Sequence, residues 1–342
     1  HAKQIQDHAF SVGIGTTIRC NLKCPHCYSR GLAGFDLRLV DLEPLFEMAV
    51  SSLNFGTGEN GLNPHFIQIL EHSLSKGINT SLTSNGYTIS NLDDDHLSAL
   101  HDVDISLDFA DKEKFDSFRG DGVWDMAIGA LERSTKLGVK TSLVMCLMSI
   151  NVDEIVPILR ICEKWQVALR VNIYKPVHLR ELSLSYTQFW DAIRVLLDHA
   201  YLVSCSEPIV NAMLNLPIVK GSPCGKTSIR IRPDKSVIPC VYWPTADINL
   251  DDLYKNPAVI ASSREFQSMK SLPKACLSCE YITICGGGCA ARRKLEGRFT
   301  EPDSYCPVIR QEIVNVSYQL SDDNRLDDYV HSSYLCTLIV KP

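Results

Sequence analysis

The placement of cysteine is the feature of this sequence that most limits what the chain can fold into. The 342 residues include 14 cysteines, and most of them fall into two groups. The first group has spacings of four and three residues and consists of Cys20, Cys24 and Cys27. The second group crowds one later stretch and consists of Cys224, Cys240, Cys276, Cys279, Cys285, Cys289 and Cys306. Where a compartment keeps thiols reduced, cysteines grouped in this way usually hold a metal or perform redox chemistry.

The rest of the composition is ordinary for a globular protein. Hydrophobic residues make up 45% of the chain and charged residues 22%, which is enough for one large domain with a smaller partner. The formal net charge of -6 argues against binding to nucleic acid. The sequence contains neither an apolar run long enough to span a membrane nor an export signal. We therefore expect a cytoplasmic protein without membrane contact, whose cysteines do not form a disulfide scaffold.

The remaining cysteines and one basic cluster have plainer interpretations. Four cysteines stand alone in apolar surroundings, and we expect them to be small hydrophobic core residues: Cys146, Cys162, Cys205 and Cys336. The basic cluster formed by Arg292, Arg293 and Lys294 is expected to be a solvated helix face.

Up to about residue 174, short runs typical of strands alternate with helical runs. The pattern predicts strands at 9–16, 52–55, 79–83, 103–107, 140–146 and 167–174. It predicts helices at 44–51, 64–75, 94–100, 123–137 and 152–165. Six strands alternating with helices favour a parallel α/β sheet or a partial barrel, in which functional residues follow the carboxyl ends of the strands. The first cysteine group follows the first predicted strand.

The second half of the chain has a different character. A helical bridge is predicted at 181–203, and cysteine, proline and glycine replace the alternating pattern after residue 222. A domain boundary is expected near 205–222, which divides the chain into 1–204, a cysteine-rich domain at 205–310 and a C-terminal extension at 311–342. After Cys306, 307–320 is predicted to be a helix and 334–340 to be a strand.

Three cysteines in one loop suit an iron–sulfur cluster. A [4Fe–4S] cluster has four irons to ligate, so three thiolates leave one iron open to a bidentate small molecule. The alternative is a zinc site with a distant fourth ligand, and His26 lies inside the motif. The spacing alone leaves both alternatives open.

The order of the motifs along the chain resembles the radical S-adenosylmethionine (SAM) superfamily. The cysteine motif after the first strand is followed by a segment similar to the Gly-Gly-Glu-Pro loop of that family, with Asn60 in place of the proline. Further similar segments follow the third and fourth strands. The four segments are FGTGEN at 55–60, TSNG at 83–86, ISLD at 105–108 and FDSFRG at 115–120.

The resemblance implies a partial (β/α)6 barrel, similar to a TIM barrel, that binds SAM. A [4Fe–4S] cluster on Cys20, Cys24 and Cys27 would bind SAM through its open iron. Glu59 would receive the methionyl amino group, and Ser106 and Arg119 would lie near the carboxylate and ribose. The full set of implied SAM contacts is His26, Gly58, Glu59, Asn85, Ser106 and Arg119. Relatives often carry an aromatic residue before the third cysteine, where this chain has His26, and an imidazole can still pack against adenine.

The second cysteine group resembles the seven-cysteine SPASM domain that follows the barrel in many radical SAM enzymes. In relatives this domain carries two auxiliary clusters with interleaved ligands. One [4Fe–4S] cluster is implied for Cys276, Cys279, Cys285 and Cys306. The other is implied for Cys224, Cys240 and Cys289. A zinc ribbon is the alternative interpretation of such spacings.

Three departures from the SPASM pattern affect what it implies. Relatives with full ligation carry a further cysteine where this chain has Arg230, so the cluster of Cys224, Cys240 and Cys289 has only three cysteines. It would keep an open iron, take another ligand or be a smaller cluster. Lys235 replaces a usual glycine. Sulfatase-maturing relatives have an aspartate base after the second cysteine, and Val241 in that position argues against formylglycine formation.

The resemblance implies a radical SAM oxidoreductase that needs an external one-electron reductant of the flavodoxin or ferredoxin type. Reductive cleavage of SAM would give a 5′-deoxyadenosyl radical, which would abstract a hydrogen atom from the substrate. We expect oxidative modification of a peptide, by dehydrogenation, cross-linking or cyclisation. Alternatives are a small natural-product intermediate (sugar, nucleoside or amino acid) and redox-neutral epimerisation. The catalytic residues are unknown, with Tyr174, Lys175 and Tyr242 as candidates on position only.

Recognition of the substrate and two other classes of protein also have to be considered. Many relatives bind a leader peptide through an N-terminal domain, whereas this chain enters its first predicted strand at residue 9. A separate leader-binding protein, or direct recognition, would then be needed for a peptide. A non-catalytic iron–sulfur electron carrier would not need Glu59, Ser106 and Arg119. A zinc-stabilised binding module would contain no iron.

Overall fold

A computed structural model describes residues 10–216, 224–322 and 336–342 of the chain. Within them, all strands belong to one sheet of eleven strands, in the order β10-β9-β8-β1-β2-β3-β4-β5-β6-β11-β7. The strands are β1 (Phe10–Ile14), β2 (Val50–Phe55), β3 (Asn79–Ser84), β4 (Asp102–Ser106), β5 (Thr141–Leu147), β6 (Ala168–Ile173), β7 (Tyr201–Cys205), β8 (Ser228–Ile231), β9 (Ser236–Ile238), β10 (Ile248–Asn249) and β11 (Leu338–Lys341).

The strands β1–β6 are paired in parallel with their sequence neighbours. They are buried along most of their length, as is usual where helices cover a parallel sheet. All six predicted strands are present, and the predicted α/β class with a barrel-like parallel sheet is confirmed. Parallel pairing places all six carboxyl ends at one edge of the sheet, where the loops that carry the sequence motifs meet.

Helices cover the sheet between the strands. In the first half they are α1 (Leu39–Phe46), α2 (Phe66–Ser75), α3 (Tyr87–Asn91), α4 (Asp94–Ser98), α5 (Lys112–Arg119), α6 (Val123–Lys136), α7 (Ile155–Trp165) and α8 (Tyr186–Asp198). In the second half they are α9 (Pro208–Leu214), α10 (Leu250–Lys255), α11 (Val259–Ser262), α12 (Arg264–Met269), α13 (Ile282–Cys285), α14 (Ala290–Leu295) and α15 (Pro307–Arg310). No helix in the described ranges combines the length and apolar character that crossing a bilayer requires.

Three predicted element boundaries are wrong. The helix predicted at 44–51 is α1, which begins at Leu39 and has Pro44 inside it, because Asp41 accepts a hydrogen bond from the Arg38 backbone N–H (2.9 Å) at the start of the helix. The bridge predicted to be helical to residue 203 ends as a helix at Asp198 and continues as strand β7. The helix predicted at 307–320 lasts only for α15, because Gln311 adopts a left-handed φ of 56°.

The sheet continues across the domain ranges that the sequence suggested. Strand β8, from the cysteine-rich range, pairs in parallel with β1. Strand β11, from the C-terminal range, lies antiparallel between β6 and β7. Of the strand predicted at 334–340, residues 334 and 335 lie outside the described residues. The division at 204 and 310 stays a prediction, and the two later ranges contribute strands to the same sheet as the barrel.

The basic cluster is a buried anchor between the cysteine-rich region and the helices of the barrel. Arg292 bonds to Asp303 (2.7 Å) and to Glu207 (2.7 Å), and all three side chains are fully buried. Its guanidinium also lies over the Tyr305 ring (4.5 Å), which stacks on Phe189 of α8. The prediction of a solvated face is therefore wrong for Arg292 and Arg293, because buried carboxylate and carbonyl acceptors hold these side chains inside the protein.

Replacing Arg292 with methionine should lower the free energy of unfolding by about 3–5 kcal/mol, because two buried carboxylates lose their counter-charge. The matched control is Arg298→Met, which breaks an exposed pair with Glu301 and should cost less than about 1 kcal/mol. Urea unfolding of the anaerobic protein, followed by circular dichroism, measures both. Equal losses in the two variants would contradict the anchoring role of Arg292.

Candidate active site

One pocket opens at the carboxyl ends of the parallel strands. It is lined by all three cysteines of the first group and by every residue that the resemblance implied for SAM binding. The pocket also contains two of the three catalytic candidates and one cysteine that the sequence placed in the core. These lining residues are Cys20, Cys24, His26, Cys27, Gly58, Glu59, Asn85, Ser106, Arg119, Cys146, Tyr174 and Tyr242.

The cysteine loop between β1 and α1 presents its thiols to this pocket with hydrogen-bond donors around them. Cys20 Sγ accepts hydrogen bonds from the Leu22 backbone N–H (3.4 Å) and from Asn85 Nδ2 (3.6 Å). Burial raises the pKa of Cys20 to about 11, and that of Cys24 is raised for the same reason. Thiols of this kind lose their protons when they bind a metal, and N–H donors to sulfur tune the potential of an iron–sulfur cluster.

The loop after β2 is tied to the segment that leads into the cysteine loop. Gly58 has φ of +69°, and a Cβ at this position would lie 2.3 Å from the Thr17 carbonyl oxygen. The Glu59 backbone N–H donates to the Arg19 carbonyl (2.8 Å). Only glycine permits this close approach, so the glycine-rich loop and the cysteine loop form one wall of the pocket.

The Glu59 carboxylate is buried and already well supplied with donors. It accepts hydrogen bonds from Ser84 Oγ (2.6 Å), from the Asn85 backbone N–H (3.0 Å) and from both the backbone N–H and the hydroxyl of Thr88. In this geometry the carboxylate joins the loop after β2 to the loop after β3. Its orientation, and therefore any contact with an ammonium group, is set by these four bonds.

A neutral imidazole and a paired guanidinium also line the pocket. His26 is stacked on Phe118, with ring centroids 5.1 Å apart, and burial lowers the pKa of His26 to about 4. In the described parts of the chain, the buried His26 Nδ1 has no hydrogen-bond partner. Arg119 binds Asp108 through Nε (2.8 Å) and a terminal nitrogen (2.7 Å). The neutral His26 ring, with its unpaired Nδ1, suits a purine. The adjacent Arg119, oriented by Asp108, suits a carboxylate on the same nucleoside.

The catalytic candidates lie at or beside the pocket. Tyr174 lines it, and its hydroxyl accepts a hydrogen bond from the Leu179 backbone N–H (3.2 Å). Tyr242 lines it and makes an edge contact with the Tyr28 ring (5.4 Å). Lys175 is buried behind the pocket, donates to the Ile173 carbonyl (2.8 Å) and places Nζ 4.9 Å from the Tyr242 ring centroid.

Three of the four isolated cysteines are core residues as expected, and Cys146 is not. Cys162 and Cys205 lie in the main hydrophobic core. Cys146 lines the pocket instead, together with Val144, because alternate residues of β5 face the same side. This period-two pattern near a carboxyl strand end was a usable signal in the sequence. Cys336 lies among cysteines of the second group, as described next.

The second cysteine group is divided between two neighbouring cavities. One cavity is lined by Cys276, Cys279, Cys285 and Cys306, the set implied for one auxiliary cluster. The other is lined by Cys224, Cys240 and Cys289, the set implied for the other cluster, and also by Cys285 and Cys336. The prediction that Cys336 is a core residue is confirmed, and its neighbours in that buried group include Cys224, Cys240 and Cys289.

Backbone geometry explains how the two sets interleave. The three residues between Cys285 and Cys289 are Gly286, Gly287 and Gly288, all with positive φ. A Cβ on Gly288 would lie 2.3 Å from the Cβ of Asp303, whose carboxylate accepts a hydrogen bond from the Cys289 backbone N–H (2.8 Å). The chain can therefore turn sharply between the two cavities.

In the described residues, no group of three or more His, Cys, Asp or Glu side chains has the arrangement that a single metal ion needs. The thiols of a [4Fe–4S] cluster bind different irons and need not converge on one atom. Each of the three spaces is lined by at least four cysteines, and thiol donors are what iron–sulfur clusters use.

Comparisons with known proteins agree with this geometry. Residues 14–162 match the radical SAM superfamily. The chain is 26% identical over 327 residues to mycofactocin maturase MftC of Mycobacterium tuberculosis (strain H37Rv), covering 85% of this chain and 81% of that protein. Its fold is similar to that of anSMEcpe with bound AdoMet (TM-score 0.69, 18% identity, 88% and 95% of the two chains). It is also similar to that of Streptococcus suis SuiB (TM-score 0.67, 17% identity, 87% and 77%).

Replacing Gly58 with alanine should weaken SAM binding at least tenfold, because the new methyl group would displace the Thr17 carbonyl and with it the pocket wall. Gly77→Ala is the matched control: Gly77 has nearly the same φ (+68°), but nothing lies within 4 Å of the added Cβ. Both variants carry the same left-handed strain, so only the clash distinguishes them. Anaerobic equilibrium dialysis with SAM measures the affinities. Equal affinities in the two variants would contradict the assignment of this wall.

Proposed function

We propose that this chain, whose residues 14–162 match the radical SAM superfamily, cleaves SAM reductively and removes a hydrogen atom from a peptide substrate, leading to an oxidative modification. The observation that carries the proposal is the shared pocket. Three thiols from one loop, a glycine-rich loop and the residues Ser106 and Arg119 line the same space. These elements come from three different strand ends, and an electron carrier or a zinc module would have no need to combine them.

The residues around the pocket would bind and orient SAM beside the cluster. Cys20, Cys24 and Cys27 would hold a [4Fe–4S] cluster with SAM at its open iron. When reduced, this cluster would supply a 5′-deoxyadenosyl radical from SAM. Gly58 allows the backbone to approach the methionyl group, and the stacked His26 offers a face to adenine. Arg119, fixed by Asp108, offers a charge to the carboxylate.

We assign the two later cysteine cavities to auxiliary clusters that accept an electron from the substrate. Cys276, Cys279, Cys285 and Cys306 would hold one [4Fe–4S] cluster, and Cys224, Cys240 and Cys289 would contribute to the other. Tyr242 supports this role because it connects the two regions. It lines the pocket, follows Cys240 by two residues and has Lys175 Nζ over its ring. A flavodoxin or ferredoxin in the cytoplasm would supply the electron for SAM cleavage.

The substrate class rests on the relatives. The 26% identical relative is a maturase. Structures of similar fold include SuiB bound to precursor peptide SuiA and anSMEcpe with a bound peptide. Val241 after Cys240 argues against formylglycine as the product. A separate leader-binding protein or direct recognition would bring the peptide to the pocket.

Replacing Cys20, Cys24 and Cys27 together with alanine should remove about four of about twelve irons per chain and abolish formation of 5′-deoxyadenosine. Cys162→Ala is the control, because Cys162 is a fully buried core residue of the barrel; its iron content and turnover should match the wild type. Iron and sulfide analysis with chromatography of the SAM products provides the measurement. Zinc in place of iron, or an intact product yield in the triple variant, would refute the proposed function.

Redox-neutral epimerisation is a second candidate, and Cys146 is the observation that favours it. The Cys146 thiol lines the pocket opposite the cysteine loop. Burial raises its pKa, so it stays protonated and keeps a hydrogen atom to give. In this reaction the S–H bond breaks, a C–H bond forms on the substrate radical, and the thiyl radical regains one electron from the external reductant and a proton from water.

Epimerisation predicts that a peptide on which the wild type turns over retains one deuterium when the reaction runs in D₂O. Cys146→Ala should then lose the deuterated product while still forming 5′-deoxyadenosine. Cys205→Ala, which removes a thiol from the core, should behave as the wild type. Mass spectrometry of the peptide decides: a product two hydrogens lighter and free of deuterium excludes epimerisation and supports net oxidation.

A further inference from the structure

Cys336, which belongs to neither cysteine group of the sequence, shares a cavity with four cysteines of the second group. These are Cys224, Cys240, Cys285 and Cys289, and Cys285 also lines the neighbouring cavity. Cys224, Cys240 and Cys289 are buried together with Cys336 in one apolar group of residues, whereas Cys285 is only partly buried. The four buried thiols therefore form one set.

The fold holds Cys336 firmly at this position. Strand β11 begins two residues later and runs antiparallel between β6 and β7, so its first residues lie at the carboxyl ends of those strands. Thr337 is fully buried, and its backbone N–H donates to Ser206 Oγ (3.1 Å). The Thr337 hydroxyl donates to the Val171 carbonyl (3.1 Å), and the Ser206 backbone N–H donates to the Thr337 carbonyl (2.8 Å). These bonds to both neighbouring strands fix the adjacent residue.

Relatives with full ligation carry the fourth cysteine ligand of this cluster at the position of Arg230. In this chain the Arg230 side chain contacts other residues. Arg230 lies on β8 opposite Gly13, and its side chain covers that glycine so closely that a Cβ there would lie 2.7 Å from Arg230 Cδ. Arg230 lines a separate cavity with Tyr28 and Tyr242. Strand β8 thus has Arg230 instead of a cysteine. The thiol of Cys336, which precedes β11 near the other edge of the sheet, lines the cavity instead.

The surroundings of the four thiols suit a negatively charged cluster. Four thiolates are the full ligand complement of a [4Fe–4S] cluster. Lys226 and Lys270 line the cavity, and the buried Lys175 interacts electrostatically with Cys289 and Cys336. Trp243 and Ala291 belong to the same group of buried apolar residues as the four cysteines. Positive charge therefore surrounds a site in which the ligands themselves are shielded from water.

We propose that Cys336 is the fourth ligand of a [4Fe–4S] cluster held by Cys224, Cys240 and Cys289, so that this cluster has no iron open to substrate. The inference rests on the proposed function, since it assumes that this cavity holds an iron–sulfur cluster. It assigns the cluster to electron transfer, because a substrate cannot ligate an iron whose sites are all taken. It also makes the C-terminal strand a structural part of the auxiliary site.

The test uses full chains with Cys20, Cys24 and Cys27 replaced by alanine, so that only the auxiliary clusters load. This parent should bind about eight irons, and Cys336→Ala and Cys336→Ser are added to it. Cys205→Ala is the matched control, a buried cysteine at the end of the neighbouring strand β7. Each protein is oxidised with ferricyanide, and iron content and EPR spectra are recorded before and after. A [4Fe–4S] cluster with an open iron loses that iron and gives the spectrum of a [3Fe–4S] cluster.

The parent and Cys205→Ala should keep their iron, whereas Cys336→Ala should lose about one iron per chain and show the [3Fe–4S] signal. Cys336→Ser, with an oxygen ligand, should keep the iron but with a shifted spectrum in the reduced state. If the parent already loses the iron, or if Cys336→Ala keeps it, Cys336 is not a ligand. Zinc, or only about four irons, in the parent would instead refute the auxiliary clusters themselves. Cleavage of SAM by the chain with its first three cysteines intact is measured separately and judges the proposed function.

Discussion

The parallel pairing of β1–β6 determines where the functional groups of this protein lie. Because the six strands point in one direction, the loops that follow them meet at one edge of the sheet, although Cys20 and Tyr174 are far apart in the sequence. Hydrogen bonds between the loops then fix their relative positions. Glu59 and Gly61 join the loop after β2 to that after β3, and Asn85 extends the connection to the Cys20 sulfur. The pocket is a consequence of strand direction, refined by a few buried polar contacts.

The cysteine-rich part is attached to the barrel by two independent means. Strand β8 continues the sheet beyond β1, and the buried Arg292 packs on Tyr305, which stacks on Phe189 of α8. These attachments bring the auxiliary cavities next to the pocket, and Cys285 lines both of those cavities. Tyr242 and Lys175 lie between the pocket and the nearer cavity. If these cavities hold the proposed auxiliary clusters, this arrangement would let an electron leave the substrate, as a net oxidation requires.

Much of this site could be predicted from the sequence, because short-range patterns carry it. Cysteine spacing and the order of motifs after strands placed the first pocket, and the resemblance to the SPASM domain implied the grouping of Cys276 with Cys306. What the sequence did not reveal depends on contacts between distant segments. Nothing local marks Arg292 as buried, since its partners Glu207 and Asp303 come from other elements. Cys336 has no neighbouring cysteine in the sequence, and only the insertion of β11 between β6 and β7 carries it to Cys224. Cys146 was recognisable from strand alternation.

The central claim is that three sets of thiols hold three iron–sulfur clusters in one chain, with SAM at the first. Anomalous diffraction at the iron absorption edge, from crystals grown anaerobically with SAM, tests it most directly. The account predicts three separate iron sites: one at the loop of Cys20, one among Cys276, Cys279, Cys285 and Cys306, and one surrounded by Cys224, Cys240, Cys289 and Cys336. SAM should contact only the first. Zinc at these positions, or SAM bound away from the first cluster, would contradict the account.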